Sequence, residues 1–155
     1  MARNEKERYF NGPQSVVECP VETGTIIDKG DFVCLISGYA IPASDISDAG
    51  NEAANREAAA DAFAGIAMTS TTTGKTDPIM VDISELAQFN LDLESAAAHS
   101  VGDLLEIYAT TAAVSRNTLV AGTTSPVAVV TKDQSSQAQQ RARLFPQKIF
   151  TSTDP

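Results

Sequence analysis

Two short apolar runs decide the fold: Phe63-Ala64-Gly65-Ile66-Ala67-Met68-Thr69 and Pro78-Ile79-Met80-Val81-Asp82-Ile83. The polar string between them, Ser70 to Asp77, is rich in residues that favour turns. Apolar runs of this length on either side of a turn are typical of strands. The stretch from 63 to 83 therefore predicts two strands joined by a loop.

A second pair of runs repeats this spacing. Ser125 to Thr131 is followed by a Gln- and Ser-rich connection, Gln134 to Gln140, and then by Arg141 to Phe145. Thr69 and Thr131, which end the first run of each pair, are 62 positions apart. The later pair therefore predicts another two strands, with residues 134–140 as the loop between them.

The repeat extends toward the N-terminus. Lys29 to Ile36 and Val101 to Tyr108 each place a Gly-Asp pair before an apolar run. Glycine accepts positive φ and aspartate bonds its own backbone, so the pair suits a turn that opens a strand. The two pairs are 72 positions apart, ten more than the strand pairs. The first half therefore holds about ten extra residues. It also contains an Ala-rich stretch, Asp45 to Ala62, with helical i,i+4 charge spacing.

These patterns predict a mainly β fold. We expect a small β-barrel or β-sandwich of short antiparallel strands with a pseudo-duplicated β unit and one short Ala-rich helical insertion. The expected organisation is an N-terminal arm (1–14), a single β-rich domain (15–150) that contains the insertion (45–62), and a C-terminal tail (151–155).

Charge and composition reduce the classes of partner that this chain is expected to bind. The chain of 155 residues has 11 basic and 20 acidic residues, for a formal net charge of −9. Such a chain is repelled by nucleic-acid phosphates and by anionic lipid, so neither partner is expected. No apolar run reaches the roughly 20 residues that span a bilayer, and the charged start, Met1 to Arg8, does not resemble a secretory signal. We expect a cytosol-like site of synthesis.

Few residues could carry metal or redox chemistry. Cys19 and Cys34 are the only cysteines and His99 is the only histidine. In a reducing compartment two buried free thiols are favoured over a disulfide. No Cys and His cluster has the spacing of a metal site, so neither a metal nor a cofactor is expected.

Three near-motifs are better explained as turns or connectors. Thr69 to Thr76 ends in Gly-Lys-Thr like a phosphate-binding loop, but it lacks the first glycine and leads into a strand. Glu22 to Thr25 is similar to the Asp-Thr-Gly-Thr of aspartic proteases, whose chemistry needs a second carboxylate copy that is absent. His99 lies in an Ala and Ser connector, where a surface position is the favoured interpretation. The sequence therefore predicts no catalysis.

The N-terminal segment, Met1 to Gln14, is polar and charged and contains an aromatic pair. It is either a frayed terminus or an arm that contacts a neighbouring protein subunit. The second interpretation makes four residues the candidates for the contact: Arg3, Arg8, Tyr9 and Phe10. It also predicts that the domain folds without residues 1–14.

The order of several segments resembles a known family. A Gly-Asp strand with Ile41-Pro42-Ala43-Ser44-Asp45 precedes the Phe63-Ala64-Gly65-Ile66-Ala67 run and a Gly-Lys-Thr-Asp-Pro-Ile turn into Val81. Gln88-Phe89-Asn90-Leu91 and a second Val101-Gly102-Asp103 follow. This order resembles the capsid decoration proteins of tailed bacteriophages, also called cement proteins.

The resemblance implies a non-enzymatic β protein on the outside of a mature virion head, made in the host cytoplasm. It implies that the major capsid protein is the partner and that the chain is a homo-oligomer, with a trimer favoured. Another virion module, such as a head-tail connector, tail or fibre protein, has the same composition and stays an alternative. An enzyme on a β-barrel is the third class, and Asp103 would then be needed for activity.

Overall fold

The computed structural model describes residues 5–145, and this part of the chain is mainly β. It contains one α-helix, α1 (Glu52–Ala62), which follows a 3-10 turn (Ala43–Asp45). The strands are, in chain order, β1 (Tyr9–Asn11), β2 (Val16–Cys19), β3 (Phe32–Ile36), β4 (Tyr39–Pro42), β5 (Phe63–Ala67), β6 (Ile79–Asp82), β7 (Gln88–His99), β8 (Leu104–Ala109), β9 (Val114–Ala121), β10 (Ala128–Val130) and β11 (Gln134–Leu144). The predicted mainly β fold with one short helical insertion is confirmed.

The later strands form a small closed barrel. Its strand order is β7-β11-β10-β8-β9, and β9 returns to pair with β7 in parallel at Asp92 and Leu93. The other pairs in this ring are antiparallel. Strand β1 adds to the outer edge of β7, where Tyr9 lies opposite Phe89.

The earlier strands form a second sheet with the same plan. Its order is β2-β6-β5-β3-β4, and all of its pairs are antiparallel. A single backbone hydrogen bond of 2.8 Å, from the Ala40 N–H to the Pro20 oxygen, joins β4 to the end of β2. We call β2–β6 the first unit and β7–β11 the second unit. Strand for strand, the two units have the same order.

The Gly-Asp turns are the clearest repeat between the units. Gly30 and Gly102 have φ angles of 94° and 97°, which side-chain-bearing residues rarely adopt. Their N–H groups donate to equivalent strands, Gly30 to the Ala67 oxygen (2.8 Å) and Gly102 to the Val130 oxygen (3.0 Å). Each turn therefore fixes the start of one strand against another, as the predicted duplication requires.

The aspartates of these turns also act alike. Asp31 accepts a hydrogen bond from the Asp28 N–H (2.8 Å), and Asp103 accepts one from the Ser100 N–H (2.9 Å). Each carboxylate closes its own turn through a backbone donor three residues earlier, as short polar side chains in turns commonly do. Asp103 therefore has a structural role in this turn.

Helix α1 lies between β4 and β5, where the predicted insertion falls. Asn51 caps it by accepting a hydrogen bond from the Ala54 N–H. Its small face is buried at Ala59, Ala60 and Ala62, so the helix packs closely on the strands beneath it. Alanine has the highest helix propensity, which favours a helix even where its apolar face is this small.

The main hydrophobic core is shared by both units. One cluster of buried side chains joins α1 and strands of the two sheets, and it includes Phe32 and Phe63 of the first unit and Phe89 of the second. The Phe32 and Phe63 rings meet edge to face with centroids 6.1 Å apart. A smaller cluster around Ile27 fills the first unit alone. The two units are therefore packed through a common core.

Two local predictions are resolved by the strands. Residues 134–140 form part of β11 and not a loop, because they pair with β7 although most of their side chains are exposed. The connector that holds His99 is likewise part of β7, and His99 is buried there.

Within residues 5–145 no helix has the length and apolar character to cross a membrane.

Both cysteines are free and buried, so the prediction of two thiols is confirmed. Cys34 lies under α1, and its thiol donates to the Ala59 oxygen at 3.6 Å. Burial raises the pKa of the Cys34 thiol to about 12, since the thiolate would lose its hydration. This thiol is therefore a small apolar core group and not a nucleophile.

Candidate contact surface

Residues 5–14 pack along both units and do not form a separate arm. The Lys6 N–H donates to the Lys29 oxygen (2.8 Å) in the first unit, and the Asn90 N–H of β7 donates to the Arg8 oxygen (2.8 Å) in the second. Strand β1 then adds to the outer edge of β7, in the sheet of the second unit. These residues belong to the folded domain, which corrects the expectation of a free arm over this range.

Arg8 is only 2% exposed, and its side chain connects the two units. Its Nε donates to the Gly30 oxygen and its Nη2 to the Asn117 oxygen, both at 3.3 Å. Its Nη1 lies 3.0 Å from a carboxylate oxygen of Asp92. The guanidinium fork suits this place because it can meet several acceptors at once. Arg8 is thus occupied inside the protein and is not a surface contact residue in this fold.

Asp92 is the acidic partner of Arg8. Burial of the carboxylate tends to raise its pKa, but hydrogen bonds from Lys6 and Gln139 and the positive charges of Arg8 and Lys6 outweigh burial. The pKa of Asp92 is therefore lowered, and the carboxylate is charged at neutral pH. The acidic side chain fixes residues 6–8 against β7.

Asp31 and Arg116 make a similar connection on the first unit's turn. The Arg116 Nε donates to the Asp31 carboxylate at 2.8 Å, and its Nη2 donates to the Ile26 oxygen at 2.7 Å. Burial raises the pKa of Asp31, although the Asp28 N–H and Arg116 act in the opposite direction. Arg8 and Arg116 therefore both lie between the two units and bond to their backbones.

The two aromatic residues of this segment differ, since Tyr9 packs within the fold and Phe10 is exposed. Tyr9 packs edge to face on Phe89, with ring centroids 6.3 Å apart, and its hydroxyl donates to the Gly12 oxygen at 2.7 Å. Phe10 points outward, is 43% exposed and lies 3.4 Å above the Arg141 guanidinium. Phe10 is therefore the candidate that stays available to a partner. Arg3 lies outside the described residues.

Two further exposed apolar residues lie near the backbone path of residues 10–16. Leu86 is 63% exposed and Val16 is 39% exposed. The chain around Gly12 passes against the backbone of Leu86 and Ala87, and the Ile83 N–H donates to the oxygen next to Val16. We call Phe10, Val16 and Leu86 the apolar border.

A shallow groove of about 190 Å³ adjoins the apolar border. It is lined by Pro13, Ser15, Ile83, Ser84, Glu85 and Leu86. The Ser15 N–H donates to the Ser84 hydroxyl at 2.6 Å, so the two walls of the groove are tied together. The border thus combines exposed apolar side chains with a depression held by a rigid backbone.

Sequence reasoning did not single out Leu86 or Val16, although a signal for Leu86 exists. In β7 the buried side chains Phe89 and Leu91 fall on odd positions. Leu86 precedes that strand on an even position, which the alternation of a strand places on the opposite face. A large apolar residue out of phase with the core pattern was the available indication.

A second exposed apolar pair lies at the tip of the β3–β4 hairpin. Ile36 and Tyr39 lie opposite each other and are 46% and 40% exposed. A groove of about 260 Å³, which includes Ile41 and Ile46, runs from this tip toward α1. The tip belongs to the β3–β4 hairpin of the first unit, so we treat it as separate from the apolar border.

The near-motifs do not form a reaction centre in the described part of the chain. The loop after Thr69 leads into strand β6, where a phosphate-binding loop would start a helix. His99 lies 3.7 Å from an Asp103 carboxylate oxygen, but that carboxylate already closes a turn. Between residues 5 and 145, no group of three or more His, Cys, Asp or Glu side chains is arranged to hold a metal ion.

Neither a protein-family model nor a curated protein sequence matches this chain.

Proposed function

We propose that the chain is a capsid decoration protein, which binds the outer surface of a mature phage head and stabilises its lattice of major capsid protein. The apolar border is the observation that carries this proposal. Its three large apolar side chains are exposed on an otherwise acidic protein and Leu86 lines a groove, a combination that suits a protein interaction site.

Charge supports the outside of the shell as the location. A chain with a formal charge of −9 would be repelled by packaged DNA, whereas on the outer face the protein shell separates it from the genome. We propose the virion exterior for this reason, after synthesis in the host cytoplasm.

The scaffold supports a mechanical role. Phe10 and Val16 of the border lie in paired strands, β1 and β2, so little backbone order is lost there when the border binds a flat lattice. A ligand that binds only the expanded lattice stabilises that lattice by mass action. If the chain forms trimers, as we propose from the family resemblance, three weak contacts act together at a much higher effective concentration.

The test compares two exposed apolar residues on heads that lack the protein. Leu86→Ser removes a border side chain, whereas Val101→Ser removes a side chain of similar exposure, 62%, from a turn of the second unit. Burying one leucine contributes about 1.5–3 kcal/mol, so Leu86→Ser should weaken binding about tenfold or more. Val101→Ser should bind like the unmodified protein.

Where the protein binds decides between this function and its alternative. Uniform labelling over the head supports decoration, and signal at one vertex or along the tail supports a connector, tail or fibre protein. Heads with the protein should also retain DNA to a higher temperature than heads without it. Equal DNA retention, together with an absence of the protein from particles, would contradict the proposal.

A further inference from the structure

The repeat between the units leaves one position unmatched. In the second unit, β1 occupies the outer edge of β7 at Gln88 and Phe89. The equivalent residues of the first unit, 72 positions earlier in the sequence, are Val16 and Val17 of β2. No strand among residues 5–145 pairs with that edge of β2, because β2 is the last strand of its sheet.

The equivalence holds along the whole edge. Asp92 of β7 meets β9 just beyond the β1 site, and Pro20, again 72 positions earlier, accepts the hydrogen bond from Ala40 of β4. Each unit therefore closes on itself at one end of this strand. Among residues 5–145, a short added strand at the other end is present in the second unit alone.

The free backbone groups on β2 can be identified from the alternation of an antiparallel ladder. The Ser15 oxygen accepts from Ile83 beside β6, whereas the Pro20 oxygen accepts from Ala40 on the opposite side. Because successive residues of a strand point their N–H and C=O groups to opposite edges, Val16 and Glu18 point toward the open edge. Their side chains are both exposed.

We propose that this edge of β2 accepts an extended segment of the major capsid protein, which adds as an antiparallel strand in the way that β1 adds to β7. Strand addition of this kind draws affinity from main-chain hydrogen bonds and specificity from the side chains beside them. The proposal rests on the proposed function and names the partner's side of the contact.

The flanking residues indicate the chemistry of that segment. Val16 and Glu18 lie on the edge strand itself and are exposed. Leu86 and Glu85 line the groove that adjoins the start of β2 and add a further apolar side chain and a further negative charge. A segment with a large apolar residue and a lysine or arginine fits this combination. A second copy of the chain fits less well, since pairing two such edges would bring like charges together.

Two substitutions at one position test the backbone contact. Glu18→Pro removes the N–H that points to the open edge and leaves the β2–β6 hydrogen bonds intact, a position at which strands accept proline. Glu18→Ala removes the same carboxylate and keeps the N–H. On heads that lack the protein, Glu18→Pro should bind about tenfold more weakly, and Glu18→Ala should lose no more than about threefold.

A second measurement does not depend on the proline variant folding. In the unmodified protein, hydrogen exchange at the Val16 and Glu18 amides should slow at least about tenfold when heads are added, because the added strand would accept from them. The Val101 amide already donates to Asp133 at 2.7 Å and should keep its rate. Unchanged exchange at Val16 and Glu18 on occupied heads would overturn strand addition.

The outcomes separate this inference from the proposed function. If the unmodified protein binds heads and folded Glu18→Pro binds equally well, strand addition is wrong and the decoration function stands. If the unmodified protein does not bind heads, both fall. If sedimentation instead shows that the protein self-associates and that Glu18→Pro does not, the occupant of the edge is a second copy, and the assignment of this edge to the major capsid protein is overturned.

Discussion

The buried contacts of Arg8 allow a quantitative prediction of how its substitution changes the free energy of unfolding. Arg8→Met keeps much of the side-chain volume and removes the charge and all five donors. The carbonyls of Gly30 and Asn117 then lose a donor, and Asp92 keeps only Lys6 as a cationic partner. Breaking a buried ion pair costs about 3–5 kcal/mol in the free energy of unfolding. Because Lys6 still neutralises Asp92 in the variant, we expect a loss at the lower end, about 3 kcal/mol.

Thermal unfolding followed by circular dichroism measures this loss. For a chain of this size, about 1 kcal/mol corresponds to about 2–4 °C, so the midpoint should fall by about 6–12 °C. Lys29→Met is the matched control, because its ion pair with Glu7 joins two solvent-accessible side chains, 36% and 62% exposed. That change should alter stability by less than about 1 kcal/mol.

Two results would refute the role of Arg8. If Arg8→Met costs less than about 1 kcal/mol, the contacts between the units contribute little and residues 5–8 are not a structural part of the domain. If Lys29→Met costs as much as Arg8→Met, the effect is one of general charge and not of the buried fork.

Three other perturbations follow from the same structure. Gly65→Ala should destabilise the protein by about 1–3 kcal/mol in urea, because the new methyl group would meet the Asp82 carbonyl oxygen; unchanged stability would contradict this packing. Because the pKa of Asp92 is lowered in the folded protein, its carboxylate contributes to stability. This contribution is fully present above the unfolded pKa of about 3.9 and is lost as the pH falls through the folded pKa. Between pH 5 and pH 2, Asp92→Asn should therefore lose less stability than the unmodified protein. Because burial raises the pKa of both thiols, iodoacetamide at neutral pH should label Cys19 and Cys34 only after denaturation, and rapid labelling of the native protein would contradict the structure.

The strand pairs and the repeat could be predicted because each had a strong local signal. The two apolar runs around residues 63–83 form β5 and β6, and the Gly-Asp pairs open β3 and β8. Turn chemistry and apolar runs act within a few residues, so the sequence alone reveals them. The Ala-rich composition and the i,i+4 charge spacing within residues 45–62 also placed α1 correctly.

The start of β11 was missed because its signal lies in another part of the chain. Residues 134–139 have mostly exposed side chains, so no alternation of apolar and polar residues marks them as a strand. Their extended form depends on pairing with β7, about 40 residues earlier, and the backbone provides that pairing whatever the side chains are.

The candidate site was missed in part for a similar reason. Arg8 looked like a surface charge because its acceptors, Gly30 and Asn117, lie far from it in sequence. Phe10 remained exposed, whereas its neighbour Tyr9 packs on Phe89. Whether a charged residue near a terminus is buried depends on tertiary contacts that local patterns do not encode.

Helix α1 touches both units at once, through Ala59 on Cys34 and through Arg56 near the Glu106 carboxylate. Glu106 in turn accepts hydrogen bonds from the backbone of Thr124 and Ser125. Neither half can open without breaking a contact of this helix, so the two halves are coupled in a single cooperative transition. A force applied to one half would therefore be transmitted to the other through the helix.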